Sequence, residues 1–330
     1  MKNIAVITSG GDAPGINSVF SGMLNTARNV KIWGYNGGFD GILSNMPKLI
    51  NNLHTEEFVT DSKLLFQTAR SKTPQMKNGI EKIVNKLKKD KMDALVVCGG
   101  DGSSKAAKLI DDFGFPVMVI PMTIDNDIDG IDYTIGHDSV INKIKDIIND
   151  LHKTAHNMPN RIFMVEVFGG NHGSIALSSA IASGSNMVFL PEYKLNLDKI
   201  CDEIQKQITQ KEYLIIICSE GAYLSDEYSS GNQGISFEIG KLISEKINER
   251  IRYSILGYFQ RGGSPSSYDS IIGTKSGNLA IDSLLSGKHG YMIGIKNSDL
   301  SLIKLDKINL KKKELDKDLV LIAKNKKILV

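Results

Sequence analysis

The chain has 330 residues, 41% of them hydrophobic, and carries 40 Lys and Arg against 37 Asp and Glu. This length allows one or two domains with sizeable cores, and a net charge of +3, spread along the chain, gives no reason to expect a nucleic-acid partner. Three widely spaced cysteines, no recognisable secretory signal and no long apolar run predict a cytoplasmic protein that neither spans a membrane nor depends on disulfides.

Short apolar runs alternate along the chain with helical patterns. In the first half we predict strands over 4–7, 30–34, 94–97 and 117–120, and helices from about Gly15, over 79–88 and from Ser104. In the second half we predict strands over 162–167, 187–190 and 214–218, a helix over 245–252 and an extended segment over 253–258. This alternation is typical of an α/β protein with parallel sheets covered by helices on both faces.

Two glycine-rich loops connect predicted strands to predicted helices. The first contains Gly10 and Gly11, and the second contains Gly99, Gly100 and Gly102. Backbone N–H groups in such loops, together with the helix N-terminus, can bind phosphate, although a tightly packed turn explains the glycines about equally well. The first loop is neither a Walker loop nor the three-glycine fingerprint of dinucleotide-binding proteins.

Acidic residues follow the same predicted strands. Asp101 suits a Mg²⁺ site completed by phosphate oxygens, and capping of a helix is the alternative. Thr123, Asp125 and Asp127 follow the strand at 116–120, at the end of the sheet where α/β proteins bind ligands. In extended backbone the two aspartates would point the same way, so one could act as a base while the other orients a group or binds metal. An Asx-rich turn is the alternative.

Arginines lie beside several short polar or glycine-containing stretches, namely Arg70, Arg161, Arg252 and Arg261. The planar guanidinium group is suited to phosphate because it donates paired hydrogen bonds. Glu220, at the end of a predicted strand, is a candidate acceptor for sugar hydroxyls. These residues, the loops and the acids together suggest transfer of phosphate to a phosphorylated polyol, a reaction that depends on positioning and charge neutralisation.

In these residues the sequence resembles the bacterial type of ATP-dependent 6-phosphofructokinase. The matching motifs, in family order, are Gly10–Gly15, Gly99–Ser103, Thr123–Asp127, Val165–Val167 and Leu256–Gly263. Each motif is weak alone, but together they are specific and cover about residues 4–300. The resemblance implies two Rossmann-like domains: a nucleotide-binding domain of 1–137 plus about 250–300, and a sugar-phosphate-binding domain of 138–249 plus about 301–330.

The resemblance also implies a role for each candidate residue. Asp125 would take the proton from the 1-hydroxyl of the sugar, while Asp127 and Thr123 would place that hydroxyl and the transferred phosphoryl group. Asp101 would hold Mg²⁺. The residues implied for the nucleotide are Gly10, Arg70, Gly100, Gly102 and Ser103, and those implied for fructose 6-phosphate are Arg161, Phe168, Glu220, Arg252, Tyr258 and Arg261. Arg161 would reach in from a neighbouring subunit, which implies a homotetramer whose active sites are shared between chains.

The resemblance favours ATP as the phosphoryl donor. Pyrophosphate-dependent relatives typically carry Asp where this chain has Gly102 and Lys where it has Met122. One feature points the other way, because Ala106 stands where the family has a glycine and its methyl group narrows the nucleotide pocket. Pyrophosphate as the donor, or another sugar phosphate as the acceptor, therefore remains an alternative.

The chain departs from the family in residues that bear on catalysis. Gly170 stands where the family has an arginine that contacts the transferring phosphoryl group, and His172 is a candidate substitute for that cation. Tyr258 replaces a sugar-binding histidine but can still hydrogen-bond. A catalytically weak regulatory homologue is therefore a further alternative, although the retention of all three aspartates favours an active enzyme.

A further departure concerns regulation. Phe20 and Leu24 stand where the family's effector site has arginines, and Asn186 replaces an acid that helps to hold the effector's metal. Because phosphates need cations, we predict no activation by ADP and no inhibition by phosphoenolpyruvate through that site. Saturation curves for the sugar phosphate, recorded with and without phosphoenolpyruvate, should superimpose, and a shift would contradict the prediction.

Overall fold

The computed structural model describes residues 2–27, 29–51, 59, 63–224, 234–307 and 313–329. Its strands are β1 Lys2–Ser9, β2 Val30–Tyr35, β3 Lys48–Leu49, β4 Ala94–Gly99, β5 Val117–Pro121, β6 Arg161–Val167, β7 Met187–Phe189, β8 Tyr213–Ser219, β9 Ile251–Ile255, β10 Tyr291–Lys296 and β11 Asp299–Lys304. Its α-helices are α1 Ile16–Thr26, α2 Gly38–Ser44, α3 Gly79–Lys89, α4 Asp101–Asp112, α5 His137–Asn157, α6 Ser174–Ser183, α7 Leu197–Ile208, α8 Ile235–Ile247, α9 Ser267–Leu285 and α10 Lys317–Asn325. The chain divides into two compact units, residues 1–139 with 261–312 and residues 140–260 with 313–330.

The first unit is built on a sheet with the strand order β11-β10-β5-β4-β1-β2-β3. The five inner strands run parallel, and β3 and β11 pair antiparallel at the two edges. All five residues of β5 are buried, as expected of a parallel strand that is covered on both faces. From β1 the chain adds β2 on one side and later β4 on the other, so the strand order reverses at β1.

Helices cover this sheet through apolar faces and close backbone contacts. On α3, Ile83, Val84 and Leu87 are buried, and lysines occupy the last turn, where they complement the negative end of the helix dipole. A Cβ atom on Gly22 of α1 would lie 1.9 Å from the backbone oxygen of Thr274 of α9, so the two helices pack with their backbones in contact.

The predicted effector position on α1 is part of the apolar core. Phe20 is fully buried, and its ring packs edge-to-face on the ring of Phe66 with their centres 5.7 Å apart. A charged side chain at this position would have to be buried, at a large cost in free energy. Phe20 therefore serves the core, and the absence of regulation by ADP or phosphoenolpyruvate stays a prediction.

The second unit is built on a fully parallel sheet with the strand order β7-β8-β6-β9. Its core consists of side chains from these strands and from α7 and α8, and it includes two of the three cysteines, Cys201 and Cys218. The third, Cys98, is buried in β4, so all three are buried free thiols, as predicted for Cys98 and Cys218. From β6 the chain adds β8 on one side and β9 on the other, which again reverses the strand order.

The predicted fold class, an α/β protein with mainly parallel sheets flanked by helices, is confirmed. Three element predictions were wrong in detail. The extended segment predicted over 253–258 corresponds to β9, Ile251–Ile255, and Gly257–Gln260 forms a short 3-10 helix instead. The helix predicted from Ser104 begins at Asp101, because the carbonyl of Gly100 already accepts a hydrogen bond from the Ser104 N–H at 3.0 Å. The helix predicted over 245–252 ends at Ile247, because Asn248 adopts a left-handed conformation with φ of 57° and releases the chain into β9.

The compact units differ from the expected domains in two segments. Strand β9 pairs with β6 in the second sheet, although residues 250–260 were expected in the first domain. Strand β11 pairs with β10 in the first sheet, although residues from 301 were expected in the second domain. Which ligand each unit binds stays a prediction. None of the helices in the described part of the chain combines the length and apolar character needed to cross a membrane.

Candidate active site

The candidate site lies at the carboxyl edge of the first sheet, where strand order reverses. Parallel pairing places Ser9 opposite Gly99 and Gly99 opposite Pro121, so the loops that follow β1, β4 and β5 leave the sheet side by side. Such a reversal opens a crevice outside the carboxyl ends of the strands, which is the usual ligand site of this fold class. The predicted phosphate loops and the predicted acidic loop therefore meet.

A cavity of about 470 Å³ occupies this crevice. Its lining brings together eight of the predicted site residues: Gly10, Arg70, Gly100, Gly102, Ser103, Thr123, Asp125 and Arg261. Asp101, the first residue of α4, and Asp127, in the acidic loop, do not line the cavity. Sequence reasoning did not assign a role to several further lining residues, which include Phe39, Pro74, Gln75, Lys105 and Leu109.

Backbone groups dominate the part of the cavity beside the glycine loops. Gly10 has a φ of 106°, which favours glycine, and its N–H donates to the carbonyl of Ala69 at 3.0 Å. A Cβ atom on Gly102 would have no neighbour within 4 Å, so the start of α4 stays open to the cavity. The hydroxyl of Ser103 donates to the carbonyl of Ser9 at 3.1 Å and thereby fixes α4 against β1. A helix start exposed in this way can bind an anion.

Three cationic side chains line the same cavity: Arg70, Lys105 and Arg261. Nη1 of Arg261 donates to the carbonyl of Asp12 at 2.9 Å. Gly11 has to be small, because a Cβ atom there would lie 2.7 Å from the same Nη1. The first glycine loop is therefore shaped partly by the need to let this guanidinium group lie over it.

Lys105 forms an ion pair with Asp101, four residues earlier on α4. Asp101 and Lys105 share one face of the helix, and their side chains are 40% and 44% exposed, so either group can exchange this partner for a ligand at low cost. Sequence reasoning missed Lys105 because it began the helix three residues too late, which hid this spacing. Mg²⁺ bound with a nucleotide needs only one or two protein carboxylates, and Asp101, between two cavity-lining glycines, suits that role.

The acidic loop turns sharply directly after β5. Thr123 Oγ1 lies 3.5 Å from Asp125 Oδ2 and accepts a hydrogen bond from the Asp125 N–H at 3.3 Å. Asn126 has a φ of 50°, so the backbone between the two aspartates is not extended. The extended backbone assumed between Asp125 and Asp127 was therefore wrong, and with it the reason to expect that the two side chains point the same way. Of the two, Asp125 is the one that lines the cavity.

Several residues of the cavity lining are apolar. Phe39, Pro74 and Leu109 are among them, and Leu109 is 48% exposed, which is unusual for a large apolar side chain. Ala106 and Met122 also line the cavity and are almost fully buried, so both side chains occupy space that a glycine would leave open. The lining thus combines backbone and polar groups of the loops with apolar side chains that include Phe39 of α2 and Leu109 of α4.

In the second unit, predicted sugar-binding residues gather at the carboxyl ends of β6 and β8. The Gly169 N–H donates to Glu220 Oε1 at 3.3 Å, and the rings of Phe168 and Tyr258 pack edge-to-face with centres 5.7 Å apart. Gly170 is exposed, and a Cβ atom there would meet only Glu220 Oε1, at 3.5 Å, among the described residues. His172, the candidate substitute cation, is only 3% exposed and does not present its ring to solvent.

Arg161 and Arg252 lie at the other end of the same sheet. Arg161 is the first residue of β6, and Arg252, on β9, pairs with Phe163 near that end and packs over the Phe163 ring. Burial and the positive charges of Arg161 and Arg250 lower the pKa of Arg252. A seven-residue strand is about 20 Å long, so these arginines are well separated from Phe168 and Glu220 of the same chain.

The fold and the cavity define a class: an α/β protein in which glycine loops and a carboxylate meet at the carboxyl edge of a mainly parallel sheet. The chain belongs to the phosphofructokinase family, because the family described as "Phosphofructokinase" matches residues 3–284. The ATP-dependent 6-phosphofructokinase of Bacillus pumilus is 36% identical over 303 residues, which cover 91% of each chain.

Solved structures agree with this membership. The phosphofructokinase of Pichia pastoris in the T-state superposes with a TM-score of 0.82 at 26% identity, covering 93% of this chain and 35% of the yeast chain. A pyrophosphate-dependent phosphofructokinase from Nitrosospira multiformis superposes with a TM-score of 0.87 at 18% identity, covering 96% of this chain and 86% of the other. The second likeness concerns the fold alone.

One wall of the cavity is held by Asp40 of α2. Its carboxylate accepts hydrogen bonds from the Thr73 N–H at 3.1 Å and the Lys72 N–H at 3.3 Å. Burial raises the pKa of Asp40, but hydrogen bonds from Thr73 and Lys72 and the charge of Lys72 outweigh it and lower the pKa from 3.8. Asp40 thus connects α2 to the segment that carries Arg70.

We predict that Asp40→Asn lowers the free energy of unfolding by about 1 kcal/mol at neutral pH, because an NH₂ group replaces one of the two carboxylate oxygens that accept these hydrogen bonds. A carboxyl group whose pKa is lowered by folding stabilises the folded state at pH values above its pKa in the unfolded chain. The difference in unfolding free energy between the variant and the wild type should therefore shrink as the pH falls below 3.8. Urea unfolding at several pH values measures this difference. Asp112→Asn, in an exposed ion pair, is the control, and a difference independent of pH would contradict the prediction.

Proposed function

We propose that this protein transfers the γ-phosphoryl group of ATP to the 1-hydroxyl of fructose 6-phosphate, giving fructose 1,6-bisphosphate and ADP. The observation that carries the proposal is the cavity, in which phosphate-binding glycine loops, three cations and the carboxylate of Asp125 face one another. The relatives named as ATP-dependent 6-phosphofructokinases support the choice of donor and acceptor. The corresponding cellular role is glycolysis in the cytoplasm.

In the proposed reaction the phosphates lie along Gly10, Gly102 and Ser103, where backbone N–H groups and the start of α4 neutralise negative charge. Arg70 and Lys105 add positive charge on the same side. A bond forms between the sugar oxygen and the γ-phosphorus while the bond from that phosphorus to the ADP oxygen breaks. Asp125 accepts the proton of the hydroxyl as the base, and Thr123 restrains the Asp125 backbone.

Asp101 is the residue that we propose for Mg²⁺. Bound there with the nucleotide, the ion supplies charge neutralisation on the phosphates. Asp101 would then exchange its ion pair with Lys105 for the ion, and Lys105 would add its positive charge beside the phosphates. Asp127 would help to place the transferred group from its position beyond the cavity lining.

The sugar-phosphate roles of Phe168, Glu220, Tyr258 and Arg261 remain proposals from the resemblance. The separation of Arg161 and Arg252 from Phe168 and Glu220 supports a division of labour between chains. We propose that these two arginines bind the 6-phosphate in the site of a neighbouring subunit, within a homotetramer. Two positive groups left close together at the end of a sheet gain most when an anion lies between them.

The identity of the phosphoryl donor distinguishes the leading proposal from a pyrophosphate-dependent enzyme. In an aldolase-coupled assay with fructose 6-phosphate and Mg²⁺, we expect turnover with ATP and none with pyrophosphate. Turnover with pyrophosphate alone would contradict the proposed donor. If the folded protein shows no turnover with either donor, the proposed activity on this acceptor is contradicted.

Gly102→Asp tests the same point inside the cavity. A Cβ atom fits there, so the variant should fold, but its carboxylate would repel the nucleotide phosphates. We expect kcat/KM for ATP to fall at least about tenfold in this variant. Gly102→Asn, of the same size without the charge, should lose much less. Equal losses in both variants would show that size, and not charge, is decisive.

A catalytically weak homologue is the second candidate, and the observation that favours it is Gly170. Its neighbourhood accepts a side chain, and Glu220 would offer an added cation a partner. We predict that Gly170→Arg raises ATP-dependent turnover by about tenfold or more, because one well-placed donor to a transferring group is worth at least that. Gly170→Met should have no such effect. Unchanged turnover in the arginine variant of an active enzyme would remove the support for this candidate.

A further inference from the structure

A buried carboxylate outside the cavity lies at the centre of a hydrogen-bond network in the first unit. Asp269, in the first turn of α9, is 0% exposed. Its Oδ1 accepts from the hydroxyl of Tyr133 at 2.7 Å and from the Gly136 N–H at 2.9 Å. Its Oδ2 accepts from the Ser139 N–H at 2.9 Å and from the Ser139 hydroxyl. A buried carboxylate surrounded by four donors is held rigidly, because moving it would leave its charge unsolvated.

The network links the N-termini of α5 and α9 reciprocally. Asp269 of α9 accepts from the N–H of Gly136, directly before α5, and from the N–H of Ser139 in its first turn, where the positive end of a 21-residue helix also favours a carboxylate. In return, the hydroxyl of Ser139 accepts a hydrogen bond from the Ser266 N–H at 2.9 Å, at the start of α9. Each helix therefore caps the other, and neither start can shift alone.

The segment held by Asp269 in turn holds the acidic loop. The hydroxyl of Thr134 donates to the carbonyl of Thr123 at 2.6 Å, and the Ile135 N–H donates to the carbonyl of Pro121 at 3.2 Å. Nδ1 of His137 lies 2.7 Å from the carbonyl oxygen of Ile124 and donates to it. Residues 134–137 thus bind the backbone immediately before Asp125, while Asp269 binds Tyr133, Gly136 and Ser139.

The first glycine loop touches the same network. A Cβ atom on Gly136 would lie 2.8 Å from Cβ of Ala13, and one on Gly15 would lie 3.4 Å from Cβ of Asp269. The loop after β1, the loop after β5 and the start of α9 are therefore packed without spare room. A change in the Asp269 network is transmitted to both loops that carry the proposed chemistry.

We propose that Asp269 is a positioning residue for phosphoryl transfer. Through Tyr133, Gly136 and Ser139 it fixes the segment that binds the backbone of residues 121–124, and this sets the direction of the Asp125 carboxylate. Asp269 does not line the cavity and acts entirely through these partners. The inference rests on the proposed function, in which Asp125 is the base.

Asp269→Asn is the direct test, because it keeps the size of the side chain and removes its charge. We expect kcat with ATP and fructose 6-phosphate to fall by about tenfold or more, while both KM values stay within about twofold, since misplacing a reacting group affects the chemical step more than binding. Asp282→Asn, at an exposed position on the same helix, should leave kcat unchanged. An unchanged kcat in a folded Asp269→Asn protein would overturn the inference.

A milder variant covers the case in which Asp269→Asn does not fold. Tyr133→Phe removes one donor to Asp269 and the acceptor of the Asp138 N–H. It keeps the ring that packs edge-to-face on Tyr268, 4.9 Å away between centres. We expect its kcat to fall about threefold or more with unchanged KM values. A rise in KM at constant kcat would show a binding role and overturn the inference. An inactive wild type would overturn the proposed function itself, whereas unchanged variants of an active wild type overturn only the inference.

Discussion

The candidate site depends on the register of three parallel strands. Backbone hydrogen bonds hold β1, β4 and β5 so that Ser9, Gly99 and Pro121 lie level, and three loops distant in the chain begin along one line. Gly99 has no room for a side chain, because a Cβ atom there would lie 2.5 Å from the carbonyl oxygen of Ser9. Because the loops start from a rigid edge, their functional groups need little further ordering when a ligand binds.

Charge is distributed in the cavity as phosphoryl transfer requires. The cations and the open start of α4 would favour a ligand that carries negative charge, whereas Asp125 is the one acidic side chain that lines the cavity among the described residues. A carboxylate in such surroundings can take a proton without repelling the phosphates as a cluster of acids would. Asp101 lies outside the lining and forms an ion pair with Lys105.

The second unit separates its functional groups between the two ends of one sheet. Phe168, Glu220 and the exposed Gly170 lie at the carboxyl ends of the strands, and Arg161 and Arg252 lie near the amino end of β6. A single chain therefore presents two partial sets of groups. This arrangement is the physical basis for proposing that sites are completed by a neighbouring copy, and it makes Gly170 the position where an added cation is most informative.

Sequence alone determined the α/β class, most strands, the glycine loops and eight of the residues that now line one cavity. These follow from local patterns: apolar runs predict buried strands, and Gly, Asp and Thr after them predict loops at the edge of a sheet. Only the tertiary structure decided that Asn126 turns the acidic loop and that Lys105 joins the cavity. It also decided that Asp269, which lies 144 residues after Asp125 in the chain, holds the segment that binds this loop. Their roles arise from backbone conformation and long-range hydrogen bonds, which leave no periodic signal in the sequence.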